Sequence, residues 1–578
     1  MITVTQSALP RETIRHLSSA RRWFAESKNA KKIALLLHIS KKKCNFAAEY
    51  QNITMAEFIN LGNSSFAKAR NSEYVDKSGL IAFINETLRT EHQFTCVCRC
   101  RRFGKSMAAK MLSAYYDKSC NSRALFHDLA IAQHPTFEQY LNRYPVIYLD
   151  ITDFTTSCKD NMGAVVDMME LRIKADLQEV FSDVKLKEGN DLMSYLLQVV
   201  EHTGEQFIMI VDEWDAICRE APKYPELMEN YVKWLRRIFK GANTDRVFAG
   251  VYMTGILPIK QYDTQSALNN FEEYTMVSPG GLAGYFGFLP TEVEYLAEKY
   301  HVDKEQIKYW YDGYQIGKEP AVYNPFSVIK AVKRQSFESY WTNTDAYEGL
   351  KQYIMLNFDG LKDAIVSLLA GNSVPVNIGM FSNDLNNIKS KDDALSVLIH
   401  LGYLSYNVET KEARIPNYEV QQEFENTIAG SDWKIIVDTL KQSEYLLNQT
   451  LEGNAEVVAE AIDRIHADET SILRYNDENS LMCALYMAYY FAKKDYTWYR
   501  ELPAGKGFAD LVLIPRKGVD SPAIVIELKY NKDAESAITQ IKDKRYSDAL
   551  KDYAGNILLV GINYDAKSKK HECVIDRG

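Results

Sequence analysis

Two stretches of this chain carry residue types and spacings that could do phosphate chemistry. The first is Arg99-Cys100-Arg101-Arg102-Phe103-Gly104-Lys105-Ser106, which follows an apolar run and opens an amphipathic one. Backbone N–H groups at a helix start attract phosphate, a lysine there reaches terminal phosphates, and a serine hydroxyl can hold Mg²⁺. Gly104, Lys105 and Ser106 supply the second half of such a loop. Its usual first glycine would fall at Arg99, so the motif taken alone also fits an ordinary surface turn. Further on, Phe207-Ile208-Met209-Ile210-Val211 ends in Asp212-Glu213. A strand ending this way could set Asp212 beside Mg²⁺ and Glu213 where it orients or deprotonates water. Thr254, at the end of another apolar run, is a candidate γ-phosphate sensor or a plain strand-end threonine.

The second stretch lies near the C-terminus. Asp510 opens the apolar run after Gly507-Phe508-Ala509, and Glu527 and Lys529 stand two apart in Ile524-Val525-Ile526-Glu527-Leu528-Lys529. Strand alternation puts Glu527 and Lys529 on one face. Two carboxylates on adjacent strands can hold Mg²⁺, and a nearby lysine can position water for phosphodiester cleavage. The alternative is a solvated strand face with a local ion pair.

The elements needed to position these groups are legible in the surrounding pattern. Strand-like runs are expected at Phe94 to Cys98, Pro145 to Ile151, Phe207 to Val211 and Val247 to Thr254, with a helix over Ser106 to Tyr116. Strands separated by helical stretches imply a parallel sheet with crossover helices. From about residue 291 to 470 amphipathic helical pattern dominates. Strands return at Leu511 to Ile514 and Ala523 to Leu528, joined through Pro515, Gly518 and Pro522, so a second, smaller α/β unit ends the chain. The fold class is therefore α/β. Its expected parts are an extension over 1–54, a nucleotide-binding sheet domain over 55–290, a mostly helical region over 291–470 and a C-terminal unit over 471–578.

With those residues laid out, the chain resembles the AAA-ATPase-like family of bacterial proteins, whose members often carry a C-terminal domain of the PD-(D/E)XK nuclease superfamily. The resemblance rests on Tyr74-Val75-Asp76-Lys77-Ser78-Gly79-Leu80, Arg101-Arg102-Phe103-Gly104-Lys105-Ser106, Val211-Asp212-Glu213-Trp214-Asp215 and Thr254-Gly255-Ile256. It continues through Tyr285-Phe286-Gly287-Phe288, Trp310-Tyr311-Asp312-Gly313-Tyr314, Tyr323-Asn324-Pro325-Phe326-Ser327 and Tyr340-Trp341. It implies a P-loop sheet domain and a restriction-endonuclease-like C-terminal domain. ATP would be bound by Arg101, Arg102, Gly104, Lys105, Ser106, Asp212 and Thr254, with Mg²⁺ on Ser106 and Asp212 and with Glu213 catalytic. In the C-terminal domain it implies catalytic Asp510, Glu527, Lys529 and Gln540, metal on Asp510 and Glu527 with Glu478 as acidic helper, and Lys544 and Tyr546 following Gln540. Cys100 stands where the family usually has Pro, Ala509 where the superfamily name has Pro, and Phe508 where Arg is frequent. The basic residues of 1–54 could form a nucleic-acid-binding arm or a solvated extension, and the family pattern, which begins near Met55, supports a dispensable extension.

Composition limits the reading. Apolar residues make up 46% and charged residues 25% of the chain, the balance of a folded protein and not of a disordered one. A net charge of -9 argues against a generally basic coat but leaves room for a local basic channel. No uncharged apolar run is long enough to span a bilayer, so no membrane partner is expected. Nine cysteines show no disulfide framework, and Cys96, Cys98 and Cys100 recur at period two, as small buried residues on one strand face would. A reducing cytoplasm fits. The expected partners are nucleotide and nucleic acid, DNA ahead of RNA, with a homo-oligomer left open. The function implied is an ATP-binding and hydrolysing protein coupled to a Mg²⁺-dependent nuclease. The competing expectation is a nucleotide-binding regulatory protein with a degenerate nuclease domain.

Overall fold

In the computed structural model the described residues begin at Ala56 and omit 160, 188–190, 221–223, 260–267, 342–345, 357, 370, 381–387, 430–433, 470–481, 483–484, 487, 505–506, 517–518, 544–549, 551–555 and 578. Glu478, Lys544, Tyr546 and the 1–54 extension thus lie outside them.

The first sheet comprises β1 (Phe94–Cys98), β2 (Val146–Asp150), β3 (Phe207–Asp212), β4 (Phe248–Gly255) and β5 (Glu272–Tyr274) in the order β2-β3-β4-β1-β5. Every neighbouring pair is parallel. Residues along β1, β3 and β4 are buried without alternation, as strands covered on both faces must be. The connections run through α1 (Lys105–Tyr116) after β1, α2 (Val165–Val180) and α3 (Leu192–Thr203) after β2, and α4 (Ala216–Glu220) and α5 (Pro225–Phe239) after β3. The order has a consequence for chemistry. Because β4 lies between β1 and β3, the loop after β1 and the acids after β3 flank the end of β4, where Thr254 stands.

Sequence periodicity locates the four long strands to within a residue or two. It does not reveal β5, whose three residues are too few to show a pattern.

The next region is helical, with α6 (Pro290–Tyr300), α7 (Lys304–Tyr311), α8 (Pro325–Arg334), α9 (Lys391–Leu401), α10 (Tyr418–Ala429), α11 (Lys434–Glu452) and α12 (Ala455–Glu469) among its elements. Local chemistry sets several starts. Asn324 caps α8 through the N–H groups of Phe326 and Ser327 at 3.0 and 3.4 Å, and Pro325 takes the first helical position. Asp303 caps α7 in the same way. This region also holds a hairpin, β6 (Tyr314–Ile316) with β7 (Glu319–Val322), and a three-stranded sheet of β8 (Val374–Pro375), β9 (Ser405–Asn407) and β10 (Glu412–Arg414). A helical pattern is therefore only part of its structure.

The C-terminal sheet is mixed: β11 (Tyr496–Ala504), β12 (Gly507–Pro515), β13 (Ala523–Tyr530), β14 (Ile557–Asp565) and β15 (Lys570–Arg577), in sequence order. Only β13 and β14 are parallel, and α13 (Ala534–Asp543) crosses between them. The two faces divide by strand alternation. Leu511, Leu513, Ile524, Ile526 and Leu528 join one core with Tyr314, Leu398, Phe424 and Ile462 of the helical region. Val512, Ala523 and Val525 pack instead with Ile538 and Ile541 of α13.

Candidate functional site

The loop between β1 and α1 turns through Arg102 and Gly104, both at positive φ (69° and 91°). Gly104 forms the N-cap of α1, so that helix starts with free N–H groups at its positive end. The N-terminal end of α1 opens into a cavity of about 1020 Å³ lined by the run Arg101 to Ala108 together with Lys110, Met111, Asp150, Asp153, Glu213 and Arg219. Tyr74, Val75, Tyr285, Phe288 and Phe326 also line it, beside the charged Glu73, Lys77 and Lys330. Arg102 lies over the Phe326 ring at 3.9 Å.

Arg99 does not enter this cavity. Its guanidinium is buried and donates to the carbonyls of Cys98 (2.9 Å), Tyr274 (2.7 Å) and Leu282 (3.4 Å), with Phe286 5.2 Å away. Burial lowers its pKa to about 10. The side chain that replaces the usual first glycine thus ties β1 to β5 instead of crowding the loop. The period-two cysteines divide as well. Cys96 and Cys98 share a strand face with sulfurs 3.7 Å apart, whereas Cys100 lies past the end of β1 and packs against Gly402 at the end of α9.

Lys105 is buried at 4% exposure, donates to the Cys100 carbonyl at 3.2 Å and lies 3.7 Å from Glu213 Oε1. Ser106 follows it on the cavity wall. Across the end of β4, Asp212 accepts from the Thr254 hydroxyl at 2.5 Å and from the Tyr148 hydroxyl at 3.1 Å. The Glu213 backbone is strained, at φ 53°, and its N–H donates to Thr254 Oγ1 at 3.4 Å. Burial pushes the Glu213 carboxyl up, but Lys105 and Arg219 outweigh it and hold the group below the ordinary carboxylate range. Gly104, Lys105, Ser106 and Glu213 thus line the cavity, whereas Asp212 and Thr254 are buried behind Glu213 and do not line it.

Two neighbours escaped the sequence reading. Asp150 ends β2 in register with Asp212, and its carboxyl is raised to about 6 by burial and by the charges of Asp212 and Asp153. Arg219 bonds Glu213 at 2.9 Å and pairs with Asp215 at 2.8 Å. Asp150 had a signal, an acid at a strand end like Asp212. The signal for Arg219 was its i,i+4 spacing from Asp215.

A separate site lies on the α13 face of the C-terminal sheet. The β12–β13 pairing runs through Val512 with Val525 to Leu511 with Ile526, and Asp510 and Glu527 are the next residues along the two strands. Asp510 Oδ2 accepts from the Leu528 N–H at 2.8 Å, fixing its carboxylate against β13. Lys529 Nζ donates to Glu527 Oε1 at 3.1 Å, and Gln540 of α13 donates to the same oxygen. Glu527 and Lys529 are 2% and 8% exposed, so they are not a solvated strand face. Among the described residues no three His, Cys, Asp or Glu side chains cluster with metal-binding geometry, so the site offers two carboxylates. That donor set suits a Mg²⁺ that keeps several waters.

Comparison with known proteins separates the same two regions. Residues 60–264 match the AAA-ATPase-like family, described as predicted AAA-ATPase, and residues 476–573 match the PD-(D/E)XK nuclease superfamily. The chain carries an AAA-ATPase-like domain and a PD-(D/E)XK nuclease superfamily domain. An uncharacterized protein in the vnfD 5′ region of Azotobacter chroococcum is 22% identical over 546 residues, covering 88% of this chain and 96% of that protein. The structure of the Aeropyrum pernix ORC2 protein, in ADPNP-ADP complexes, aligns over 61% of this chain and 94% of its own at 11% identity and a TM-score of 0.25. The AAA-ATPase-like domain holds the first site and the nuclease superfamily domain holds the second. No helix among the described residues is long and apolar enough to cross a membrane.

Proposed function

We propose that the chain binds and hydrolyses ATP at the β1–α1 loop and cleaves nucleic acid, DNA in preference to RNA, with its C-terminal domain in a Mg²⁺-dependent reaction. The observation that carries this reading is the convergence of Asp510, Glu527 and Lys529 on one face of a sheet, with Gln540 of α13 donating to the same Glu527, in a chain that also carries a phosphate-binding loop. In the first site the N–H groups opening α1, with Gly104 and Lys105, would hold the phosphates, and Arg101 and Arg102 would add positive charge beside them. Ser106 and Asp212 would hold Mg²⁺, Thr254 would fix Asp212, and Glu213 would orient water.

In the second site Asp510 and Glu527 would hold Mg²⁺, whose chemistry when bound is to polarise the scissile phosphate and favour ionised water. Gln540 orients the Glu527 carboxylate from α13. Lys529, 3.1 Å from Glu527, is placed to steer water or to stabilise charge developing on phosphate. We assign the boundaries 55–290, 291–470 and 471–578 to the ATPase, helical and nuclease parts, Glu478 to the role of acidic helper, and residues 1–54 to a dispensable extension.

Incubation of the purified chain with supercoiled plasmid, single-stranded DNA and RNA, with and without Mg²⁺, Mn²⁺ and ATP, tests the reading. Divalent-dependent cleavage of DNA that is lost in Asp510→Ala is expected. Absence of cleavage under every condition, with ATP binding intact, would leave a nucleotide-binding regulator with a degenerate nuclease domain.

A further inference from the structure

Glu213 is held from two sides by different kinds of bond. Arg219 donates to Oε2 at 2.9 Å, whereas Lys105 lies 3.7 Å from Oε1 and makes its hydrogen bond elsewhere, to Cys100. Arg219 is anchored in turn. It pairs at 2.8 Å with Asp215, whose side chain is 0% exposed and whose other oxygen accepts from the Leu257 N–H at 3.1 Å. Gly255 makes that anchorage possible, because a Cβ there would stand 2.5 Å from the Trp214 ring and 2.8 Å from Asp215 Oδ1. The chain Leu257, Asp215, Arg219, Glu213 and Lys105 therefore runs from the end of β4 to the phosphate loop.

Resting on the reading of this cavity as an ATP hydrolysis site, we propose that Arg219 is the positioning residue for Glu213, holding Oε2 while Lys105 leaves Oε1 for the incoming phosphates. The asymmetry of the two cations supports the exchange. Lys105 is a single ammonium on a flexible stem, loosely paired with one carboxylate, and the several charges of a triphosphate compete well for it. Arg219 is a rigid fork bound to two carboxylates and cannot follow the phosphates without breaking both pairs. Nucleotide entry thereby frees one oxygen of Glu213 and leaves the other fixed. The free oxygen accepts a hydrogen bond from the attacking water. Water oxygen bonds to the γ-phosphorus as the bond from that phosphorus to the β–γ bridging oxygen breaks, and the bridging oxygen departs with the electron pair on ADP. The water proton passes through Glu213 Oε1 to the phosphate released.

Steady-state ATP turnover and binding of a fluorescent ATP analogue, measured on the full chain, test this. Arg219→Gln is expected to lower kcat by about 100-fold, the scale of a misplaced general base, with KM and analogue Kd within about threefold of wild type. Arg219→Lys should recover part of kcat, and Arg219→Gln added to Glu213→Gln should cost nothing further. The proposal is overturned if Arg219→Gln turns over like wild type, if it loses nucleotide binding along with turnover, or if its effect adds fully to that of Glu213→Gln. Should Arg219→Gln fail to fold, Arg219→Lys decides. Reduced kcat with unchanged analogue binding supports the role, and wild-type kcat refutes it. No turnover in the wild type would overturn the hydrolysis reading itself, whereas normal turnover in Arg219→Gln overturns only this proposal.

Discussion

At the scale of single residues, the two sites differ in what a substitution should remove. Lys105→Ala takes away the only lysine at the start of α1, and ATP affinity should fall at least about 100-fold, loss of a buried charge-assisted contact being worth roughly 3 kcal/mol. Isothermal titration with ATP checks this, and unchanged affinity would refute the phosphate-loop assignment. In the nuclease superfamily domain, Asp510→Ala and Glu527→Ala should weaken Mg²⁺ or Mn²⁺ binding together with cleavage. Lys529→Ala should leave ion affinity nearly intact and slow cleavage by about 100-fold. Equal divalent binding by wild type and Asp510→Ala, read by calorimetry, would rule out the carboxylate pair as a metal site.

At the scale of elements, what matters is how strands and helices are joined. Gly255 ends β4 under the Trp214 ring, and adding a methyl group there should cost about 1–3 kcal/mol through overpacking. Urea unfolding of Gly255→Ala measures it, and a change below 0.5 kcal/mol, within the scatter of neutral surface substitutions, would mean that the ring simply shifts. The nuclease superfamily domain meets the helical region through Arg516, which follows β12 and lies 3.8 Å from the Tyr309 ring of α7 and 5.2 Å from that of Tyr418 on α10. Arg516 also donates to the Tyr309 hydroxyl. Strand alternation in β13 explains why Glu527 and Lys529 could be placed on one face from sequence. The partner strand register and the helix above it could not be placed that way, because both depend on contacts between segments distant along the chain.

Across the whole molecule, buried carboxylates in the helical region make stability depend on pH. Glu423 is 1% exposed, its Oε1 has no hydrogen-bond partner, and burial raises its pKa from 4.5 to about 7. Glu419 is raised to about 7 by burial as well, although Ser327, Trp341 and Tyr340 donate to it. A folded-state pKa above the unfolded one means that the fold favours the protonated acid. The contribution is complete below about pH 4.5, declines as pH rises and is lost beyond about pH 7. Glu423→Gln should therefore remove about 1–2 kcal/mol of this decline once screening is allowed for. Chemical denaturation at pH 5 and pH 8 compares the two proteins, and an undiminished difference would place the titration elsewhere. ATP at about 100 times its Kd should add roughly 2.7 kcal/mol of stability in wild type and far less in Lys105→Ala, which a thermal shift series can follow.

Local pattern along the chain was enough for the α/β class, the four long strands of the first sheet, the separation of two chemical centres and the shared strand face of Glu527 and Lys529. Each of these depends on local periodicity or on residues a few positions apart, and backbone geometry turns such patterns directly into faces and ends. Tertiary structure decided the rest. Arg99 looked like a fault in a phosphate loop until its guanidinium was found on carbonyls of β1, β5 and the segment after β5. Asp150 joins the first site because β2 pairs in register with β3, and Arg219 because the turn after β3 folds its helix back onto Glu213, while the order with β4 between β1 and β3 brings the phosphate loop to the same sheet end. The short strands β5 to β10 hold too few residues for alternation to register. Their pairing partners, like the partners of a buried guanidinium, are set by long-range contacts that no local pattern encodes.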